Sequence, residues 1–467
     1  MMKLFSYFSV LMPQRLVYML QIVEYSPRKF LKWLSTFPNL KRVIRRGQLV
    51  YTKKALALLA VSYGFSVIYL SIIILALFTR LFLAAIIGAL LWPVLVILIL
   101  VAVTWLAGIL LYHFRKPLLK KAQIQLEHHQ ATKIAVLGSY GKTTMKELLV
   151  TVLSEGKTVK ATPGNMNVPI SHARWITSKV GNSEDVLVFE YGEGQPGDIN
   201  KFGDLTKPDY GVITGLAPNH LDQYPSLEAL ADDLLDIRKF VPDENLMINS
   251  SAKGLIEKVQ AVSVYGEAGV SDWKVSNLTI DYSGTSFKMK KGDLVLDLHS
   301  NLLGRHQVGP LAATVALANK LGLTADQIEA GIAKTKPFEH RMQPRSLNGA
   351  WIIDDTYNGN LEGIRAGLRL MHDLDAKRKI YVTPGLVDQG IETQNVHHEI
   401  GRLIAAANPN KVVLMKNSVT KYIQEGMEGY LGEVVVEENP LNFYTNLEHT
   451  LAAGDLAILQ NDWTDNY

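Results

Sequence analysis

Two long uncharged apolar segments near the N-terminus constrain the fold of this chain more than any other feature. Residues 55–78 carry no charge, and a second uncharged run extends from Leu81 to Tyr112, with Arg80 between them. About 20 helical residues, at a rise of about 1.5 Å each, span the hydrocarbon core of a bilayer. The pattern predicts a transmembrane helical hairpin over residues 55–114, with a tilt or kink at Pro93 in its second helix. A helical hairpin buried in a soluble core is the alternative.

The distribution of charge predicts how this hairpin is oriented. Residues 1–54 contain eleven Lys and Arg residues and one acid, Glu24, whereas the other 413 residues contain 37 basic and 43 acidic residues. Basic flanks stay cytoplasmic, so both ends are expected on the inner face, with two spans in the inner (cytoplasmic) membrane and cytoplasmic catalytic domains. These flanks are Lys41, Arg42, Arg45, Arg46, Lys53 and Lys54 before the pair, and Arg115, Lys116, Lys120 and Lys121 after it.

Composition excludes several classes of function. The chain has no cysteine, which rules out a disulfide framework, a thiolate zinc site and a cysteine nucleophile. The basic excess is confined to residues 1–54, so nucleic acid is not the expected partner. Aromatic residues lie among these basic residues, a pattern that suits an interfacial segment on an anionic leaflet. An ordinary basic flank without lipid specificity explains the pattern equally well.

From Lys133 onward, short β-rich runs alternate with helical patterns, which predicts a mostly parallel α/β sheet. Residues 273–299 instead predict a small meander of strands, and a second α/β series begins after Gln343. The predicted strands are Lys133–Leu137, Val186–Phe189, Tyr210–Thr214, Asn245–Asn249, Trp351–Asp354, Lys379–Thr383, Lys411–Met415, Glu433–Val436 and Leu456–Leu459. The predicted organisation is a basic segment (1–54), the hairpin (55–114), a linker (115–130), a phosphate-loop, parallel-sheet ATPase domain (131–343) and a C-terminal Rossmann-like α/β domain (344–467).

A glycine-rich run follows the first of these strands and opens a helix. In this context, backbone N–H groups at a helix N-terminus are presented to phosphate. Lys142 would neutralise the β- and γ-phosphate oxygens, and the Thr143 hydroxyl would bind Mg²⁺. Val136 stands where the strict Walker pattern has glycine, so a glycine-rich turn with a surface lysine is the alternative. The run comprises Gly138, Ser139, Tyr140, Gly141, Lys142, Thr143 and Thr144.

This run resembles the variant phosphate loop of the Mur ligase superfamily, which are ATP-dependent amide-bond-forming enzymes. Further segments, in the family's order, resemble its other motifs over about residues 131–460. They are Thr162–Asn167, Glu190–Ile199 (compare E-x-G-x-x-x-P-G-E-I), Val212–Leu221, Leu303–His306, His340–Met342 and Ile353–Asn358. The last of them is similar to the D-D-S-Y-N motif of the branch that adds D-alanyl-D-alanine.

The resemblance implies ATP and Mg²⁺ as cofactors and assigns roles to particular residues. It implies that Glu190 and His220 contribute to the Mg²⁺ sites together with Thr143. Arg341 would reach the nucleotide phosphates from the linker, and Asp355 would reach the ribose with Asn358 nearby, so that ATP lies across a domain interface. The implied catalytic residues are Lys142, Glu190, His220 and Arg341.

The implied reaction joins a muramoyl-peptide or related carboxylate to an amino acid or D-Ala-D-Ala in peptidoglycan precursor synthesis, through an acyl phosphate. The implied partners are those substrates, the membrane and cell-wall assembly proteins. Leu234 departs from the pattern, because it falls where the family has a carbamoylated lysine that helps to hold the second Mg²⁺. His306–Pro310 also lacks the family's asparagines, and the membrane segment stands where relatives have a uridine-binding domain.

Two other functions stay open at this point. Leu234 motivates the first of them, a nucleotide-binding scaffold that has lost catalysis and organises cell-wall proteins. The second is a polyglutamate-type polymer ligase, against which the D-D-T-Y-N run and the full C-terminal domain argue.

Overall fold

The computed structural model describes residues 3–461 except residues 4, 5, 24, 41–48, 165, 218–223, 358, 387, 388, 390 and 391. The chain forms two compact units, Met1–Pro117 and Leu118–Asp465.

The first unit is helical. Its helices are Met12–Ile22, Pro27–Ser35, Lys53–Phe78 and the first part of Phe82–Glu127, preceded by a short 3₁₀ turn at Ser6–Phe8. The last two helices are long and apolar enough to cross a membrane, and only 17% of the most apolar window of each is buried. The 46-residue helix Phe82–Glu127 continues through Pro93 and Pro117, so most of the segment predicted as a linker is helical.

The two long helices pack against each other through a few polar and small residues. The Trp92 indole Nε1 donates a hydrogen bond to Ser66 Oγ at 3.1 Å, and the Tyr69 hydroxyl donates to the Gly88 carbonyl at 3.3 Å. Outside this seam, large apolar side chains face outward, and Phe78 and Leu83 are 82% and 73% exposed. Within this unit the pair therefore buries one seam and leaves a broad apolar surface uncovered.

The first sheet of the second unit has ten strands in the order β10-β9-β8-β7-β6-β5-β4-β1-β3-β2. Strands β1 to β6 pair in parallel, and β6 to β10 continue as an antiparallel meander. Both the parallel sheet and the meander predicted from the sequence are therefore confirmed. The strands are β1 Thr132–Leu137, β2 Val159–Ala161, β3 Val186–Glu190, β4 Tyr210–Ile213, β5 Leu246–Asn249, β6 Ser263–Gly266, β7 Gly269–Val270, β8 Trp273–Asp281, β9 Gly284–Lys291 and β10 Leu294–Ser300.

Helices cover this sheet because β1 and β3 are buried runs of Val, Leu, Ile and Phe that must be shielded on both faces. One apolar cluster includes Leu149 and Leu317, and a second includes Phe189 and Leu234. The helices are Lys142–Leu153, Pro169–Lys179, Asp198–Thr206, Leu227–Leu235, Lys253–Ile256, Val308–Lys320 and Ala325–Ala333. Short 3₁₀ turns lie at Asp236–Lys239, Asp243–Asn245 and Arg305–Gln307.

The second sheet has six strands in the order β11-β12-β16-β13-β14-β15. All its pairings are parallel except that of β11 with β12, which confirms the second predicted α/β series. The strands are β11 Gln343–Leu347, β12 Ala350–Asp355, β13 Arg378–Thr383, β14 Lys411–Met415, β15 Glu433–Glu437 and β16 Asp455–Gln460. The helices are Leu361–Asp373, Thr393–Ala407, Thr420–Gly426 and Pro440–Thr450.

The two sheets are connected by contacts at the meander. Arg305 donates to Glu267 at 3.0 Å and to Asp373 at 2.9 Å, and Arg369 lies 3.0 Å from the second oxygen of Glu267. The rings of Tyr282 and Trp351 stack at 4.6 Å nearby. These contacts fix the start of the C-terminal sheet against the ten-stranded sheet.

Candidate functional site

The glycine-rich loop between β1 and the helix Lys142–Leu153 has a backbone that only glycine suits at two positions. Gly138 has φ +131°, and a Cβ there would lie 2.6 Å from Thr214 Oγ1. Gly141 has φ +75° and precedes the first residue of the helix. Left-handed backbone at these positions turns the loop over the carboxyl end of β1 and leaves the first N–H groups of the helix without partners in the helix itself. This geometry is the one that binds phosphate.

The Lys142 side chain is fully engaged within the protein. Its ammonium Nζ donates to the Gly138 carbonyl at 2.5 Å and to both carboxylate oxygens of Glu193, at 2.9 and 2.8 Å. Glu193 follows β3, and its side chain is 3% exposed. The loop cation therefore has a buried counter-ion that sequence reasoning did not identify.

Thr143 and Glu190, two of the predicted metal-binding residues, lie together. The Thr143 hydroxyl donates to Glu190 Oε1 at 3.0 Å. The other oxygen, Oε2, is buried and accepts no hydrogen bond of good geometry, although Lys146 Nζ lies 3.0 Å away. Lys146 is completely buried and also donates to the Gly164 carbonyl at 2.8 Å. Sequence reasoning missed Lys146, although it follows Lys142 by one helical turn and so shares its face of the helix.

Two predicted site residues, His220 and Asn358, lie outside the described residues. Within the part of the chain that the structure describes, no three His, Asp or Glu side chains come together as a ready-made metal site. The roles expected of His220 and Asn358 stay predictions.

The remaining loop residues surround the Lys142 site. Ser139 N donates to the Gly215 carbonyl at 3.0 Å, and the Tyr140 hydroxyl lies 2.7 Å from Ser251 Oγ. Burial raises the pKa of Tyr140, and the charge of Glu362 adds to the effect. Glu362 lies in the first turn of Leu361–Asp373, the first helix after β12. Thr144 is partly buried in the first helical turn.

Arg341 and Asp355 lie on neighbouring segments where β12 ends. The Arg341 guanidinium lies 4.5 Å from the centre of the Tyr357 ring, a cation–π contact. Asp355 Oδ1 accepts from Met342 N at 3.2 Å, and Oδ2 accepts from Gln460 Nε2 at 2.8 Å. Burial raises the pKa of Asp355 to about 6, against the effect of these hydrogen bonds and of Arg341.

Leu234, at the position expected for a carbamoylated lysine, is a core residue. Its side chain is completely buried in the cluster that contains Phe189, on the helix Leu227–Leu235. Lys239 lies in the following 3₁₀ turn, where its ammonium pairs with Asp236 at 2.7 Å. No cationic side chain therefore takes the place of Leu234 within that helix, and Asp233 beside it accepts hydrogen bonds from Gly197 N and the Tyr224 hydroxyl.

The parallel sheet, the left-handed glycines and the Lys142–Thr143 pair define a phosphate-loop nucleotide-binding fold. Residues 136–318, a range that includes this loop and Glu190, match the Mur ligase middle domain family. The chain is 27% identical over 293 residues to the UDP-N-acetylmuramoyl-tripeptide–D-alanyl-D-alanine ligase of Escherichia coli strain K12, which corresponds to 61% of the chain and 64% of that protein. These matches show that residues 136–318 match the Mur ligase middle domain family and that the chain is similar to D-alanyl-D-alanine-adding ligases. The chain thus aligns with less than two thirds of the length of that relative.

Solved structures show the same fold at low sequence identity. MurF from Acinetobacter baumannii has a TM-score of 0.65 and 21% identity, covering 76% of this chain and 78% of that one. MurF ligase from Thermotoga maritima, in complex with ADP, has a TM-score of 0.63 and 22% identity, covering 74% and 80%. At this identity the likeness concerns the fold alone.

Proposed function

We propose that this protein is a membrane-anchored, ATP-dependent, ADP-forming amide ligase of the Mur type. It would activate a muramoyl-peptide carboxylate as an acyl phosphate and join it to D-Ala-D-Ala or a similar amine. The observation that carries the proposal is the convergence of Lys142, Thr143 and Glu190 at a left-handed glycine loop. The names of the relatives, which are tripeptide–D-alanyl-D-alanine ligases, support the choice of substrates.

The residues at the loop fit Mg²⁺. The Thr143 hydroxyl and the Glu190 carboxylate are hard oxygen ligands, and Glu190 Oε2 is a buried oxygen with no hydrogen bond of good geometry. When bound, Mg²⁺ would neutralise charge on the phosphate oxygens. Thr143 and Glu190 would hold it, with His220 as a further predicted ligand.

The chain's own groups account for the remaining requirements of the reaction. The loop N–H groups and Lys142 would bind the phosphates, while Arg341 and Asp355 would hold the nucleotide from the C-terminal sheet. Positioning of two substrates and stabilisation of developing charge supply most of the rate in such transfers.

Membrane anchoring is the second part of the proposal. Two apolar helices whose outward faces are exposed, with basic residues at both outer ends, favour a hairpin with both ends on the cytoplasmic side. The anchor would place the ligase near lipid-linked precursors or cell-wall assembly proteins. Retention of the full chain in the membrane pellet after alkaline carbonate extraction is the expected result, and release into the supernatant would contradict it.

The ligase activity is tested with the purified full chain in detergent. Incubation with ATP, Mg²⁺, a muramoyl tripeptide and D-Ala-D-Ala should release ADP in amounts that match the new amide bond. Lys142→Ala is the inactive control. If no amine donor gives substrate-dependent ADP, the ligase proposal is wrong.

A catalytically degraded scaffold is the second candidate, and the complete burial of Leu234 favours it. A leucine in an apolar core supplies no metal ligand, and a polar residue at position 234 would require that core to repack. Tight nucleotide binding by the wild-type chain without substrate-dependent turnover would favour the scaffold over the ligase.

A further inference from the structure

We propose that Glu193 makes nucleotide binding at the phosphate loop depend on a divalent cation, so that the loop accepts a magnesium-bound polyphosphate and rejects a metal-free one. This inference rests on the proposed function, because it requires that the loop binds a nucleotide.

All three N–H donors of Lys142 are used within the protein. An ammonium has three N–H donors, and those of Lys142 are directed to the Gly138 carbonyl and to the two oxygens of Glu193, at 2.5, 2.9 and 2.8 Å. A phosphate oxygen can bind this ammonium only by displacing one of these acceptors. Of the two acceptor residues, Gly138 accepts through its backbone carbonyl, whereas Glu193 accepts through a side chain that can rotate away.

Burial makes this displacement costly. The side chains of Glu193 and Lys142 are 3% and 14% exposed, so little water is available to replace either partner. The backbone before Glu193 is also fixed. A Cβ on Gly192 would lie 2.3 Å from the Asn167 carbonyl, and Tyr191 N donates to the Val136 carbonyl at 2.8 Å. The Glu193 backbone therefore stays beside the phosphate loop even when the ion pair of its side chain is broken.

The charge around Glu193 adds to this effect. Burial and the hydrogen bond to Asp233 raise the pKa of Tyr224, and the charges of Asp198 and Glu193 contribute to the shift. An incoming polyphosphate would meet these carboxylates as well as Lys142. Two anions on one ammonium repel each other, and a divalent cation between the phosphate and the carboxylate removes that repulsion.

The position of Glu193 is not one that the family pattern specifies. It occupies the second variable position of the segment compared above with E-x-G-x-x-x-P-G-E-I. The pairing of Glu193 with Lys142 is visible only in the fold, which brings positions 142 and 193 together.

The test compares ADP affinity in excess Mg²⁺ and in excess EDTA, by isothermal titration calorimetry on the full chain in detergent. We expect the wild type to bind ADP at least about tenfold more weakly in EDTA, and Glu193→Gln to remove most of this difference by tightening metal-free binding. Glu155→Gln is the matched control, because Glu155 also holds a lysine, Lys334, through both oxygens at 2.7 Å. That control should keep the wild-type ratio.

Three results separate the outcomes. Equal affinities of the wild type in Mg²⁺ and EDTA would overturn the role of Glu193, as would an unchanged ratio in folded Glu193→Gln. If Glu193→Gln does not fold, as judged by circular dichroism, Glu193→Ala replaces it with the same expectation. Absence of ADP binding by the wild type in Mg²⁺ would instead overturn the proposed nucleotide function itself.

Discussion

Replacement of Asp355 by asparagine is expected to stabilise the protein at neutral pH and to weaken nucleotide binding. Asp355 ends β12, and its two oxygens accept from Met342 N and Gln460 Nε2. Burial nevertheless outweighs these hydrogen bonds and raises the pKa of this carboxyl from 3.8 to about 6. The ionised side chain is therefore less stable in the folded protein than in the unfolded chain at pH 7.

The magnitude follows from the shift of the pKa. Each unit corresponds to about 1.4 kcal/mol, so ionised Asp355 costs up to about 3 kcal/mol above pH 7. Between about pH 4 and about pH 6, the folded state binds more protons than the unfolded state, so stability decreases as the pH rises. The cost of ionised Asp355 is therefore absent below about pH 4 and complete above about pH 6. Asparagine removes the charge but loses one acceptor, which costs about 1 kcal/mol. A net gain of about 2 kcal/mol at pH 8 is expected, decreasing toward acid pH.

The assay is pulse proteolysis of the full chain in urea, in detergent, over a series of pH values from about 4 to about 8. Asp455→Asn is the control of opposite sign. Although burial opposes it, the hydrogen bonds from Arg378 hold the pKa of Asp455 below its usual range. The Asp455→Asn variant should therefore be less stable than the wild type at neutral pH. The difference should shrink in acid, where the wild type loses this ion pair. An Asp355→Asn variant that is destabilised at pH 8, or whose effect is independent of pH, would refute the reasoning.

Five further substitutions have expected outcomes. Lys146→Met should destabilise the chain by about 3 to 5 kcal/mol in the same urea assay, because the Glu190 carboxylate would be buried without its cation; a neutral effect would contradict the pairing. Leu234→Ala should cost about 2 to 5 kcal/mol through the cavity it leaves. Leu234→Lys should cost at least as much, and a stable Lys variant would show that this core has room for an ammonium. Thr143→Val should weaken ADP binding in Mg²⁺ but not in EDTA, as measured by calorimetry, and equal losses in both would exclude a metal ligand. Ser226→Ala should cost about 1 kcal/mol, since Ser226 caps the helix that carries Leu234, and a loss several times larger would point to another role.

The buried strands could be predicted from the sequence because each is a short apolar run between turn-forming residues. The prediction Lys133–Leu137 differs from the observed Thr132–Leu137 by one residue, and Lys411–Met415 is identical. The helix Leu227–Leu235, by contrast, continues as the 3₁₀ turn Asp236–Lys239. Helix ends tighten in this way where the last carbonyls lack partners, and apolar periodicity does not reveal it.

The candidate site was predictable where the residues are close in sequence. The glycine loop, Lys142 and Thr143 lie in one run, and helical spacing alone could have added Lys146. Glu193 could not be found in this way, because its contact with Lys142 joins residues 51 positions apart and depends on how β1 and β3 pair. The burial of Leu234 likewise depends on which face of its helix meets the sheet.

The central claim is that the protein activates a carboxylate with ATP, and transfer of an oxygen isotope tests it most directly. The muramoyl-peptide carboxylate is labelled with ¹⁸O and incubated with ATP, Mg²⁺, D-Ala-D-Ala and the full chain. Formation of an acyl phosphate followed by attack of the amine moves one carboxylate oxygen to the released phosphate. We predict one labelled oxygen in each phosphate released during ligation. Unlabelled phosphate, which would show that water attacks ATP directly, would contradict it.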